Sequence, residues 1–82
     1  MKTRIPTATV QQWAERADQW LATNAPNLSR ADITTGRDAW GIAHRTGVVT
    51  DAYRMPDIHD AHIQTALQRI FPAAAFRDAK RY

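Results

Sequence analysis

The clearest hydrophobic pattern in this sequence lies near the start of the chain. Apolar residues recur there at intervals of three and four positions: Val10, Trp13, Ala14, Ala17, Trp20 and Leu21. This spacing is typical of the buried face of an amphipathic helix. Thr9 stands three residues before Gln12, an arrangement typical of a capping box. The pattern predicts a helix over 10–23 that follows an extended lead-in at 1–8.

A second helix is predicted in the middle of the chain. Thr35 precedes Asp38 by three positions, which indicates an N-terminal cap and places an acid where the helix dipole favours it. We expect a helix over 37–46 that ends at Gly47. Its buried face is expected to contain Ala39, Trp40, Ile42 and Ala43. Gly41 within it costs about 1 kcal/mol relative to alanine, and its missing side chain predicts a close helix contact.

Two stretches allow more than one prediction. Ser29 and Asp32 either open a short helix or belong to a loop that leads into the second helix. Beyond the second helix, Thr50 either caps a short helix over 50–55, or two adjacent valines form a short extended segment. Pro56 ends either structure, because its ring is incompatible with a helix interior.

The last helix is predicted over 58–71. Asp57 is a good N-cap residue, and Pro72 ends the helix. The apolar positions are Ile63, Ala66, Leu67, Ile70 and Phe71, with Ala61 near the start. The three alanines at 73–75 predict one further helical turn, from which Phe76 folds back onto the core.

Together these elements predict one small all-α domain over 1–82, a bundle of three to four short helices. We expect the helices at 10–23 and 58–71 to make the main hydrophobic contact and to clamp the middle helix with its Trp40. A chain of 82 residues buries roughly 60% of its unfolded surface. The core is therefore modest, and we expect a homodimer to add to it.

The composition excludes several classes of protein. The chain has no cysteine, so disulfides and thiolate metal sites are impossible and a reducing cytoplasm is expected. The first six residues carry no apolar run of the signal-peptide kind. No window approaches the roughly 20 apolar residues of a membrane span, so no membrane partner is expected.

The charge of the chain is weakly basic. Its formal net charge is +3, and nine of its eleven basic residues are arginine. Arginine suits contacts with phosphates and base edges, and a GC-rich genome also enriches arginine and alanine. Only a predicted flexible tail at 77–82, with Arg77, Lys80 and Arg81, concentrates positive charge.

Residues 42–54 carry the most specific pattern in the chain. Ala43 and Gly47 stand four positions apart, and apolar Ile42 and Val48 lie beside them. A glycine there can adopt the positive φ that ends a helix, and an alanine lets a second helix approach closely. The segment resembles the helix-turn-helix of DNA-binding proteins, and the resemblance is limited to these residues.

The resemblance implies that the second helix enters the major groove of double-stranded DNA. The residues at the groove would then be Arg45, Thr50, Asp51 and Arg54, with Arg37, Arg77, Lys80 and Arg81 on phosphates. Tyr53 stands where the family prefers a branched aliphatic residue, and Pro56 limits the second helix to under two turns. The expected function is that of a transcriptional regulator of the kind that phages and mobile elements encode.

Two other clusters suggest binding chemistry. Gln64 and Gln68 share one face of the last helix with Thr65 and Arg69, and glutamine and arginine can bind base edges. A solvated helix face has the same composition. His59 and His62, with Asp57 and the more distant His44, could supply ligands for a zinc or nickel ion. A surface ion pair explains His59 more simply, so we expect no metal or other cofactor.

The alternative function is protein binding. Trp13 and Trp20 lie on the stripe of the first helix, and a domain this small is expected to leave one tryptophan partly exposed. A surface of tryptophan and arginine suits a protein interface. The chain would then be a small accessory or inhibitor protein that binds a host protein without nucleic acid. With one serine, Ser29, and no phosphate-binding loop, neither an enzyme nor a small-molecule substrate is expected.

Overall fold

The structure is a computed structural model that describes residues 5–76. Its elements follow one another in the order α1 (Thr7–Asn24), a 3-10 helix (Arg30–Asp32), α2 (Gly36–Arg45), α3 (Val48–Tyr53) and α4 (Asp60–Ile70). Among the described residues there is no strand, only one isolated parallel bridge. The predicted all-α bundle of short helices is therefore confirmed.

The core lies where these helices meet. α1 packs against α4, α2 packs against α3, and α2 also contacts both α1 and α4. The predicted clamp around the middle helix is confirmed, and Trp40 is only 6% exposed. All predicted apolar positions of α2 are buried, and so are those of α4 apart from Ala61, which is exposed. Trp13 is buried, whereas Trp20 is half-buried.

Helix α1 begins earlier than the sequence predicts. Its first residue is Thr7, and Pro6 occupies the N-cap position, where its carbonyl accepts a 3.1 Å hydrogen bond from the amide of Val10. The predicted Thr9 cap is wrong. The extended lead-in predicted over 1–8 is wrong at Thr7 and Ala8, which are already helical, and residues 1–4 lie outside the described residues. The physical reason is a hydrophobic staple, because buried Ile5 and buried Val10 flank the first turn and fix the entry of the chain.

The segment between α1 and α2 follows the first of its two predicted alternatives. The Asp32 carboxylate accepts a 2.7 Å hydrogen bond from the amide of Ser29, and the two residues open the 3-10 helix. The hydrogen bonds that the amide and the hydroxyl of Ser29 donate to this carboxylate lower the pKa of Asp32. Arg30 joins three elements, since Nε donates to Asp18 at 2.7 Å and Nη1 donates to the Ile70 carbonyl at 3.0 Å.

Helix α4 begins later than predicted. Asp57 is not its cap, because it has a left-handed φ of 63° and lies in the turn after α3. His59 is the N-cap residue, and its amide donates to Nδ1 of His62 at 3.4 Å. The aspartate is used where aspartate is tolerated in a turn, at positive φ, and the helix starts three residues further on.

The chain after α4 does not form the predicted helical turn. Ala75 instead pairs with the strand-like segment before α2: its amide donates to the Thr34 carbonyl at 3.0 Å, and its carbonyl accepts from the Gly36 amide at 3.2 Å. Pro72 prevents the helix from continuing, so these backbone groups find partners elsewhere. Phe76 is buried, which confirms that it folds back onto the core.

No helix within residues 5–76 combines the length and the apolar character needed to cross a lipid bilayer.

Candidate functional site

The corner between α2 and α3 contains the predicted glycine turn. Gly47 has a φ of +80°, and α3 starts at the next residue. At the other end of α2, Thr35 is the N-cap residue, and its hydroxyl accepts from the Asp38 amide at 3.1 Å. The predicted cap and the predicted end of this helix are confirmed.

Helix α3 itself departs from the prediction in its bounds. Thr50 is not its cap, because the helix already begins at Val48 with Gly47 in the N-cap position. An extended segment at the valines is also wrong. Val48, Val49 and Ala52 are all buried, so a helical turn that buries all three outweighs the preference of valine for strands.

The exposed side of α3 is small. Thr50 and Arg54 are exposed and lie about 40° apart around the helix, opposite its buried face. Asp51, another predicted DNA contact, forms an ion pair with Arg16 of α1, with 2.6 Å between Nη2 and Oδ2. Of the predicted DNA contacts on α3, Thr50 and Arg54 therefore point outward, whereas Asp51 is paired with α1.

Tyr53 occupies the other flank of α3. Its hydroxyl donates to Oδ1 of Asp60 at 2.6 Å, although 57% of the residue is exposed. The hydrogen bond to the carboxylate raises the pKa of Tyr53, because it is lost when the phenol ionises. The helix-turn-helix family prefers a branched aliphatic residue at this position. Here Tyr53 stands instead, and its hydrogen bond joins α3 to the start of α4.

A groove larger than the exposed side of α3 lies between α2, the end of α1 and the segment that follows α1. We call it the Trp20 groove. It has a volume of about 530 Å³. Its apolar lining comes from the end of α1, the following segment and α2: Trp20, Leu21, Ala25, Leu28, Ile33 and Ile42. The charged residues of its lining, Arg37, Asp38 and Arg45, all come from α2, and Gly41 lies among them. Leu28 is 46% exposed.

Gly41 and Arg45 are fitted to each other in this groove. Nη1 of Arg45 donates to the Gly41 carbonyl at 3.0 Å. A Cβ added at Gly41 would lie 3.0 Å from that same nitrogen. The predicted close helix contact at Gly41 is thus wrong, because the space is occupied by the Arg45 guanidinium. The arginine folds back along the helix and covers the surface at Gly41.

The structure divides the predicted DNA-binding residues between two surfaces. Arg37 and Arg45 line the Trp20 groove, whereas Thr50 and Arg54 do not. Arg77, Lys80 and Arg81 lie outside the described residues. Between residues 5 and 76 the sequence has six arginines against seven acidic residues, a net charge of −1. The net positive charge of the chain therefore comes from its two ends.

Two of the remaining candidates, Gln68 and His62, have local structural roles. Nε2 of Gln68 donates to the Ala74 carbonyl at 3.1 Å, which holds the turn after α4. The His62 ring accepts from the backbone at the start of α4. Within the described part of the chain, no group of three or more possible ligand side chains is placed to hold a metal ion.

Sequence reasoning missed the apolar side of the groove. Leu28 and Ile33 lie outside the helices, so neither belonged to the buried face of a predicted helix. The available signal was the continuation of the α1 stripe: Leu21, Ala25 and Leu28 follow one another at intervals of four and three. The chain leaves the helix at Ala25, and the apolar surface continues past it.

No protein-family model, curated protein sequence or solved structure matches this chain. The fold and this surface define a small all-α domain with an apolar groove between two helices, bordered by arginine.

Proposed function

We propose that this chain is a small protein-binding accessory module and that the Trp20 groove receives a segment of its partner. The observation that carries the proposal is the meeting of half-buried Trp20 and exposed Leu28 with Arg37 and Arg45. Tryptophan and arginine are enriched at the energetically dominant positions of protein interfaces. An apolar floor with a charged border is the usual anatomy of such a site.

The location of the groove supports this proposal. Its apolar side belongs to α1 and the segment after it, and its polar side belongs to α2. These elements are held together by buried residues such as Trp40 and Ile33. A rigid, partly apolar surface loses little conformational entropy on binding, so its burial can contribute to affinity.

DNA binding is the second candidate, and the α2–Gly47–α3 corner favours it. The corner has the buried Ala43 and the left-handed glycine that the helix-turn-helix resemblance implies. Three observations favour the groove instead. Helix α3 has only six residues, Asp51 is paired with Arg16, and residues 5–76 carry a net negative charge. Strong nucleic-acid binders usually present a basic face.

The proposal is tested by photocrosslinking from the groove. A benzophenone amino acid replaces Leu28 in the full chain, and a matched variant carries it at exposed Gln64 on α4. We expect a crosslinked protein from the native host at position 28 and not at position 64. The protein is then identified by mass spectrometry, purified and titrated against the unmodified chain.

Variants of the groove residues complete the test with the purified partner. Arg37→Glu and Leu28→Asp should each weaken binding at least about tenfold, or 1.4 kcal/mol, whereas Arg54→Glu should leave it unchanged. If the groove variants bind the partner as well as the wild type, the proposal is wrong. Size-exclusion chromatography with light scattering shows whether the crosslinked partner is a second copy of this chain.

The same proteins distinguish the second candidate. Fluorescence anisotropy with a mixed-sequence duplex, at low and moderate salt, should show no binding that depends on Arg54. If DNA binds, weakens with Arg54→Ala and is unaffected by Leu28→Asp, the corner is the functional surface and the groove proposal gives way. Each lost phosphate contact should lower the salt dependence by roughly one unit.

A further inference from the structure

We infer that a second cavity, between the start of α1 and one face of α4, is a binding site for a small organic carboxylate with an apolar body. This cavity is separate from the Trp20 groove, so the inference goes beyond the proposed function. It follows from the single positive charge in the lining, from the hydrogen-bond donors beside that charge and from the apolar floor.

The cavity has a volume of about 440 Å³. This lies within the range of small-molecule sites in proteins, about 300–1,000 Å³. One side comes from the entry of the chain into α1, with Ile5, Thr7 and Val10. The other side is a single stripe of α4, whose members stand at i, i+3, i+4 and i+7: His62, Thr65, Ala66 and Arg69. None of these residues lines the Trp20 groove.

Arg69 gives this cavity one formal positive charge. No acidic residue belongs to the lining, and the first turn of α1 contains none. Within residues 5–76, no ion pair or hydrogen bond engages the Arg69 guanidinium, and the side chain is exposed to an incoming ligand. An arginine in a cavity without carboxylates is complementary to an anion, because its planar fork of N–H donors binds a carboxylate through two parallel hydrogen bonds.

His62 and Thr7 add hydrogen-bond donors without adding charge. Nδ1 of His62 accepts from the amide of His59 at 3.4 Å, so the neutral ring carries its proton on Nε2, which is a donor. Among the described residues, the Thr7 hydroxyl has no hydrogen-bond partner and can also donate. With His62 in its neutral form, the lining carries a single positive charge. This favours a carboxylate, with one negative charge, over a phosphate monoester, which carries nearly two.

The floor of the cavity is apolar and its rim is polar. Ile5, Val10 and Ala66 line the cavity and are buried, whereas Thr7 and Arg69 are exposed. A bound carboxylate at the rim would therefore direct the rest of its ligand toward the floor. An apolar chain of about four to six carbons would cover the floor and contribute to affinity through the apolar surface that it buries.

The inference is tested by titrating hexanoate into the isotope-labelled full chain and recording amide nitrogen–proton correlation spectra. Three matched probes accompany it: acetate lacks the apolar body, hexan-1-ol lacks the charge, and hexylammonium has the opposite charge. Hexanoate should bind at least about tenfold tighter than each of the three. It should shift the amide resonances of residues 7–10 and 62–69 and leave those of residues 28–45 in place.

Variants of the lining locate the site. Arg69→Gln should weaken hexanoate about tenfold, whereas Arg54→Gln, the same change at another exposed arginine, should not. Thr65→Phe should also weaken it, because the larger side chain occupies the cavity while Arg69 is retained. Leu28→Asp, which alters the Trp20 groove, should leave hexanoate binding unchanged. Circular dichroism melts confirm that the variants are folded.

Two results would overturn the inference. One is equal affinity for hexanoate and hexylammonium. The other is hexanoate binding that survives Arg69→Gln, and its loss on removal of residues 1–4 would then assign the binding to Lys2 and Arg4. Neither result affects the Trp20 groove, which is tested separately by crosslinking from position 28.

Discussion

At the scale of single residues, two glycines of the α2–α3 region have different structural roles. Gly47 has a φ of +80°, which L side chains rarely adopt, and it reverses the chain between two helices. Gly41 lies within α2, where the backbone is compatible with any residue, and its carbonyl and open surface accommodate the guanidinium of Arg45. Gly47 is required by the backbone conformation of the turn, whereas Gly41 leaves room for the Arg45 side chain on the helix surface.

These roles predict opposite effects on stability. Gly47→Ala should lower the free energy of unfolding by about 1–2 kcal/mol, because a left-handed residue with a Cβ is strained. The nearest atom to that Cβ is Nη1 of Arg16 at 3.7 Å, so the loss comes from the backbone and not from a clash. Gly41→Ala should instead raise the free energy of unfolding by up to about 1 kcal/mol through helix propensity.

Urea denaturation of the two variants measures this difference. Gly47→Asn is the matched control, since asparagine tolerates the left-handed region, and it should be less destabilising than Gly47→Ala. Equal stability of Gly47→Ala and the wild type would mean that the corner does not have the observed conformation. A strongly destabilised Gly41→Ala would mean that the glycine is required for folding.

At the scale of elements, α3 is too short to be stable alone. Isolated helices below about 12 residues are marginal in water, and α3 has six residues. Three buried residues attach it to α2, while Asp51 joins it to Arg16 of α1 and Tyr53 joins it to Asp60 of α4. Its position is thus determined by contacts with α1, α2 and α4, and only the side of α3 that faces none of these helices is exposed.

The Arg16–Asp51 pair should contribute little to stability. The two side chains are 42% and 34% exposed, and exposed ion pairs contribute about 0–1 kcal/mol because solvent and salt screen them. A double-mutant cycle with Arg16→Gln and Asp51→Asn, followed by urea denaturation, should give a coupling energy of about 0.5 kcal/mol that shrinks in high salt. A salt-independent coupling above about 2 kcal/mol would contradict this.

At the scale of the whole molecule, the two ends of the described chain close the bundle. Ile5 covers the first turn of α1, and Phe76 returns to the core after the bridge between Thr35 and Ala75. That bridge also holds the segment in which Thr35 caps α2. Arg30 adds a further link, from the 3-10 helix to the end of α4. The integrity of α2, and with it the groove, therefore depends on residues that follow α4.

We expect Phe76→Ala to be one of the most destabilising changes in the molecule. Phe76 is 6% exposed, and truncation of a buried phenylalanine typically costs about 3–5 kcal/mol. A domain of this size has a total stability of about 4–12 kcal/mol. Thermal and urea unfolding should show a large loss for Phe76→Ala and a smaller one for Phe76→Leu, with Tyr53→Ala as an exposed aromatic control.

Much of the bundle could be predicted because local rules and tertiary packing agree there. The stripe of α1, the cap at Thr35, the glycine turn and the buried face of α4 follow from period and backbone chemistry. Predictions failed where a capping signal competed with burial or with a turn. Thr9, Thr50 and Asp57 are all good cap residues, but the helices begin at Thr7, Val48 and Asp60. Burial of Ile5 determined where α1 begins, and burial of Val48 and Val49 determined where α3 begins. The turn at Asp57 determined where α4 begins.

What the sequence alone determined is an all-α domain with three well-marked helices and a bend at Gly47, because helical period, capping and left-handed backbone are properties of neighbouring residues. The tertiary structure decided which polar residues share a surface. It placed Arg37 and Arg45 beside Trp20 and Leu28, and it paired Asp51 with Arg16. Such groupings join residues distant in the chain, and only the packing of whole helices determines them.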